Sequence, residues 1–308
     1  MIAMSRRRED HSVAITGIGL VTPIGHDLET FRERLWSNRS GIGEIEHFDV
    51  RHSPTRAGGE VRNFRLETYA PHALCREIES LDDRRVSFGC AALIAAHENA
   101  GLAGVYPPDR IGLALGTGAI AYSRRELNNV LVRLRRSSLP RRFLDPIARD
   151  ISPRRHQAEY TAERVGAALG IRGPRRTHVS TCAASAMAIG SGLQMLRRGT
   201  ADACLVGGFD SLLTPGGIAS FALLGVLSMG DRPPHQLQRP FDRHRDGMVI
   251  GEGAVVFVLE HLARARVRGA RIFGELCGFG ASMDGFHIVS PEPRGAGAAR
   301  AIRRALDD

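Results

Sequence analysis

Apolar residues recur along this chain with two periods, one suited to strands and one to helices. A β-branched run at 13–18 leads through Gly19 and Pro23 to Asp27, an N-cap for a helix predicted to reach about Asn38. Helical spacing returns at 83–101, where Val86, Phe88, Ala92, Leu93 and Ala96 fall on a 3.6-residue repeat. Further strands are predicted at 111–115, 177–179, 203–207, 254–259 and 272–279, and helices at 161–169, 182–198, 215–224 and 295–306. The stretch 122–155, rich in arginine and broken by prolines, reads as a surface excursion of irregular helix and loop, and 230–248 as a long loop. Strands alternating with helices indicate an α/β sheet layered by helices, with a new sheet expected to begin at Ile272.

The helix after Cys182 carries small residues almost all round: Ala183, Ala184, Ala186, Ala188, Gly190 and Gly192. Such a helix is expected to be central and buried on all faces. In Val179-Ser180-Thr181-Cys182-Ala183-Ala184 a strand hands over to that helix at a cysteine. A sulfur at a helix start lies near unpaired N–H groups and the positive end of the helix dipole, which favours the nucleophilic thiolate.

Composition narrows the chemistry. At 308 residues and 43% hydrophobic content, the chain can bury one large core or two modest ones. No apolar run suits a bilayer, and residues 1–11 are basic and polar without the apolar stretch of an export signal. Cys75, Cys90, Cys182, Cys204 and Cys277 are odd in number and lack a Cys-x-x-Cys pair, which argues against disulfides and structural zinc and for a reducing cytoplasm. The net charge of +9 comes from arginine alone, since no lysine occurs, and this excludes Walker-type phosphate loops, Schiff bases and pyridoxal phosphate. Basic clusters at Arg133, Arg135 and Arg136, at Arg141 and Arg142, and at Arg154 and Arg155 lack interleaved aromatics. They suit an acidic protein partner at least as well as nucleic acid.

Four segments in order carry a family resemblance: 13–25, 179–186, Leu205-Val-Gly-Gly-Phe-Asp-Ser211, and Arg239-Pro-Phe-Asp through Gly251-Glu-Gly-Ala254. Together they resemble the β-ketoacyl-acyl-carrier-protein synthases of the thiolase-like superfamily, whose layered αβαβα fold is built of two related halves. The resemblance implies a complete first half at 1–260 and a second half begun at 261–308. It implies decarboxylative Claisen condensation in fatty-acid or polyketide synthesis: Cys182 accepts an acyl chain, with its own N–H as an oxyanion donor, and malonyl carrier protein supplies the carbanion. No cofactor or metal is implied. The implied partners are acyl carrier protein and a second ketosynthase-like chain, in a homodimer or heterodimer. Ala119, Phe221 and Met248 match acyl-pocket positions, and Arg84 and Arg85 match a basic patch for the carrier, although Gly225 stands where another carrier-contacting arginine is usual.

The family's His-Gly-Thr and Lys-x-x-x-Gly-His motifs and its Gly-Phe-Gly-Gly loop are not found, and His178, His244 and His287 all precede their expected place. The chain alone is therefore expected to lack the condensation step. It is also expected to leave an apolar face bare, at about 25 cal/mol per Å², and to be marginally soluble or dependent on a partner. The alternative reading is a non-catalytic ketosynthase-like subunit, in which the cysteine is usually replaced.

Overall fold

The computed structural model describes residues 12–118, 126, 128–129, 132, 154–287 and 290–308. In chain order the first elements are strand β1 (Val13–Val21), helix α1 (Leu28–Trp36), a ribbon of β2 (Gly43–Glu44) and β3 (Ala57–Gly58), helices α2 (His72–Glu79) and α3 (Arg84–Asn99), and strand β4 (Ile111–Thr117). Then come α4 (Tyr160–Ala168), β5 (Arg175–Val179), α5 (Ala184–Arg197), β6 (Ala203–Ser211), α6 (Pro215–Leu223), β7 (Glu252–His261), α7 (Leu262–Val267), β8 (Gly274–Leu276) and α8 (Ala296–Asp307).

Six strands form one mixed sheet in the order β5-β4-β6-β7-β1-β8. β4 runs parallel to β5 and β6, whereas β7 is antiparallel to both β6 and β1. Alternate side chains split between two cores, as the two-residue period of a strand requires. Leu113, Leu115, Leu205, Val256 and Val258 meet α3 on one face, and Ala114, Cys204, Val206 and Leu259 meet α5 on the other. A methyl group on Gly19 would stand 2.0 Å from the Ala92 carbonyl oxygen, so glycine there lets α3 rest directly on β1.

Local signals set the element ends. Asp27 caps α1 by accepting from the Thr30 N–H at 2.8 Å, and Asp83 caps α3 through the Arg85 N–H at 3.0 Å. Three expectations need correction. The strand expected at 272–279 is realised only as β8, which pairs with β1 as an edge of the existing sheet and begins no new one at Ile272. Gly278 and Gly280 instead run beneath the backbone of α8, which replaces strand pairing there. The helix after Cys182 is not buried on all faces either, for Ala183, Ser185 and Ala186 in its first turn are exposed. The ribbon β2–β3 and helix α2 had no prediction. The excursion expected at 122–155 lies almost wholly outside the described residues.

A buried carboxylate anchors the sheet at the end away from Cys182. Glu260 accepts from Arg268 Nε at 2.8 Å, from the Tyr106 hydroxyl at 2.6 Å and from Thr16, while Arg268 also donates to the Ala100 carbonyl behind α3 at 2.8 Å. Burial pushes the Glu260 carboxyl up, but the bonds from Arg268, Thr16 and Tyr106 outweigh it and hold it below its ordinary value of 4.5. A depressed carboxylate stabilises the fold fully above its unfolded value, and that contribution is lost as pH falls through the folded one. Denaturant unfolding of Glu260→Gln is expected to show a loss of about 3 kcal/mol at neutral pH, narrowing in acid as the wild type loses the same pair.

Candidate active site

Cys182 sits where β5 turns into α5. The strand ends at Val179, a 3-10 turn covers Thr181–Ala183, and α5 starts at Ala184. Thr181 has φ of +47°, a left-handed conformation that costs a β-branched residue about 1–3 kcal/mol. The Ala183 N–H closes the turn on the Ser180 carbonyl at 3.1 Å, and the Cys182 side chain is exposed. Glycines on the neighbouring strands allow this placement. A methyl on Gly116 would stand 2.3 Å from the Ala184 carbonyl carbon, and one on Gly208 would stand 1.9 Å from Ser185 Oγ. The first turn of α5 therefore lies directly on β4 and β6.

Beside this turn opens a cleft of about 530 Å³, lined by Thr181 of the turn and Ser185 of α5, by Gly116 of β4 and Gly118 just past it, and by Asp210 and Glu252 at strand ends. The Glu252 carboxylate is fully buried and accepts from Arg84 Nε at 3.2 Å, the Val61 N–H at 3.0 Å and Ser211 Oγ at 2.6 Å. Asp210, half-buried, accepts from the Ser211 N–H at 2.8 Å. Burial pushes its carboxyl above the usual carboxylate range.

The other sequence candidates scatter. Arg84 is half-exposed, and its guanidinium is engaged by Glu252, by the Val61 carbonyl at 2.7 Å and by the Phe88 ring. Arg85 is only 3% exposed. It pairs with Asp83 at 3.0 Å and donates to Thr117 Oγ1 and the Arg155 carbonyl, each at 3.2 Å. The expectation of Arg85 as part of a docking surface is thus corrected: Arg85 acts as an internal strut. Phe221 and Met248 come to one corner, linked through Val226, whose N–H reaches the Phe221 carbonyl and whose carbonyl accepts from Met248 N–H at 2.9 Å. Neither lines the cleft beside Cys182. Ala119 lies outside the described residues. His178 contacts Ser191 Oγ at 2.8 Å, and burial together with Arg176 lowers its pKa. His244 and His287 are exposed.

Sequence reasoning passed over Asp210 and Glu252, quoting both only inside family motifs. The available signal was an acid at the end of an otherwise apolar strand, where burial forces the carboxylate to find donors.

Comparison with known proteins agrees with this architecture. Residues 10–265 match the family Beta-ketoacyl synthase, N-terminal domain. The chain is 33% identical to 3-oxoacyl-[acyl-carrier-protein] synthase 2 of Synechocystis sp., over 97% of this chain and 70% of the relative. It is also 33% identical to the protein of that name from Vibrio cholerae, over 99% of this chain and 70% of the relative. A crystal structure of a beta-ketoacyl synthase from Burkholderia phymatum superposes with a TM-score of 0.79 at 28% identity, over 96% of this chain and 70% of that one. A type II polyketide ketosynthase, solved with its acyl-carrier protein and bound to the hexaketide, gives a TM-score of 0.77 at 28% identity over 96% and 69%. The architecture is that of the thiolase-like condensing enzymes. The chain belongs to the beta-ketoacyl synthase family.

Asp83 lies between two buried cations, Arg85 at 3.0 Å and Arg155 at 3.7 Å, so Arg85→Ala removes the nearer one and its bonds to Thr117 and the Arg155 carbonyl. Thermal and denaturant unfolding are expected to show a loss of about 2 kcal/mol, below the scale of a fully uncompensated buried charge because Arg155 remains beside the acid.

Proposed function

We propose that Cys182 is the nucleophile of acyl transfer, taking an acyl group from the thioester of an acyl carrier protein. The Cys182 sulfur attacks the thioester carbonyl, the carrier's C–S bond breaks, and the carrier leaves as a thiol after taking up a proton. The acyl group stays on Cys182 as a new thioester, ready for attack by the carbanion from malonyl carrier protein in fatty-acid or polyketide synthesis. The Cys182 N–H, in the turn before α5, serves as one oxyanion donor. The observation that carries this reading is an exposed cysteine at the strand-to-helix junction of a β-ketoacyl synthase chain. Phe221 and Met248, together with Ala119, are proposed as walls for the acyl chain, and half-exposed Arg84 as a contact for the carrier.

Two partners follow from this reading: the carrier, and a second ketosynthase-like chain. β5 closes the sheet on one side with an exposed edge, where Val179 is 59% exposed. Such an edge offers unpaired N–H and C=O groups to another strand. Leu223 at 90% and Phe241 at 101% exposure add apolar surface that water covers poorly. Among the described residues no helix is long and apolar enough to cross a membrane, and all five cysteines are free, which supports a reducing cytoplasm.

Intact-mass measurement after incubation with an acyl thioester tests the nucleophile. Cys75, Cys90 and Cys204 are buried, and burial pushes Cys90 and Cys204 up to about 12, so Cys277 is the competing exposed thiol. One acyl adduct is expected in the wild type and in Cys277→Ser, and none in Cys182→Ala; an adduct that persists in Cys182→Ala refutes the assignment. For the partner edge, Val179→Glu is expected to shift the chain towards monomer in light scattering after gel filtration.

A further inference from the structure

His47 lies outside the site described above, just past the short strand β2, and its ring stands between two oxygens. Nδ1 is 2.6 Å from Glu60 Oε1, and Nε2 is 2.8 Å from the carbonyl oxygen of Leu213. Glu60 is 5% exposed and also accepts the N–H groups of Glu46 at 2.9 Å and of His47 at 3.0 Å. Leu213 is fully buried just ahead of Thr214, which caps α6 by accepting the Gly217 N–H at 3.0 Å. One imidazole thus joins the β2–β3 ribbon to the start of α6.

The two oxygens decide how the ring is protonated. A carbonyl oxygen can only accept, so Nε2 must donate to Leu213. Burial pushes the Glu60 carboxyl up, but the bonds from Glu46 and His47 outweigh it and hold it below its ordinary value of 4.5, so the carboxylate can only accept as well. A neutral imidazole has a single N–H and would turn a lone pair on one of these oxygens, whereas the imidazolium donates to both. Further charges stand on the ribbon side. Arg62 Nε lies 3.5 Å from Glu60 Oε2, the same guanidinium meets Glu46 at 3.3 Å, and the Asp49–Arg51 pair next along the chain is exposed. His235, in the 3-10 turn at 234–236, is exposed too. Residues 211–224, which hold Leu213 and α6, carry no titratable side chain.

Behind the ring lies a small core in which Ile45 packs with Leu213 and with Ile218 and Phe221 of α6. We propose that His47 is a proton-operated clamp: its imidazolium ties the β2–β3 ribbon to Leu213, and loss of one ring proton releases this corner. The clamp has a limit on each side. As pH falls through the folded value of Glu60, the depressed carboxylate loses its contribution; as pH rises, the ring gives up a proton and a lone pair faces Glu60 or Leu213. Phe221, proposed above as an acyl wall, stands in the corner that is released, but the clamp does not rest on that role.

NMR of the full chain labelled with 15N-histidine reads the ring directly. Both His47 ring nitrogens are expected to carry protons at about pH 6 and only one at about pH 8, the range in which an imidazole ordinarily changes charge. Hydrogen exchange at the Glu46, His47 and Gly217 amides, corrected for the intrinsic pH dependence, is expected to quicken about tenfold over that range, the scale of one lost bond to a charged group. Amides of β6 are expected to stay unchanged. In His47→Gln and in Glu60→Gln the quickening is expected to vanish, since neither variant sets an imidazolium against a carboxylate. A ring with one proton throughout, exchange that does not quicken, or quickening that persists in His47→Gln overturns the clamp. If both variants fail to fold, the wild type still decides: one shared midpoint for ring and exchange supports the clamp, and separate midpoints overturn it.

Discussion

The candidate site depends on a close approach: the first turn of α5 lies backbone to backbone against the end of β4, and only the small Ser185 side chain separates it from β6. Gly116 and Gly208 make that approach possible, and any Cβ at either position would collide with Ala184 or Ser185. The consequence reaches Cys182 through two bonds of geometry. With α5 seated this low, the chain leaving β5 has four residues, Ser180 to Ala183, in which to rise from the strand into the helix, and Thr181 takes a left-handed conformation there. The small residues of α5 thus serve contact on its inner side, while its first turn stays open to solvent beside the cysteine.

Around that turn, polar side chains inside the protein do work that a surface reading would miss. Arg84 and Arg85 begin α3 and look like a basic pair on a solvated helix face. One is drawn inward by the fully buried Glu252, the other by Asp83 and the end of β4. The Gly-Glu-Gly-Ala segment accordingly has a physical meaning beyond family membership. Its glutamate gathers α3, β6 and the chain at Val61 onto one carboxylate.

The sequence made the regular elements legible where side-chain chemistry and period agreed. Asp27 and Asp83 announce α1 and α3, and both cap as their residue type predicts. The apolar runs of β4, β6 and β7 are buried strands, each a little longer than its apolar stretch because hydrogen bonding to neighbours continues past it. The signal failed where tertiary contact decides. Residues 272–279 have strand composition, but only Gly274–Leu276 form a strand, and by Gly278 the chain lies against the backbone of α8. Small residues at 183–192 indicate close contact without saying how much of the helix surface is covered. The cysteine junction was readable from local pattern. The roles of Glu252 and Arg85 depend on partners far away in the chain, which no local pattern encodes.

Strand β7 begins with a buried acid, Glu252, and carries a second, Glu260, one residue before its end. Glu252 and Glu260 lie on the same face as Ala254, Val256 and Val258, and each meets its arginine at opposite ends of α3, Arg84 at one and Arg268 at the other. A slip of β7 by a single residue would turn both carboxylates away from their arginines and into the core under α5. The two acids act as registration marks on the central antiparallel strand. They fix how β6 and β1 align on either side of it, and so where along the sheet the cysteine turn comes to rest.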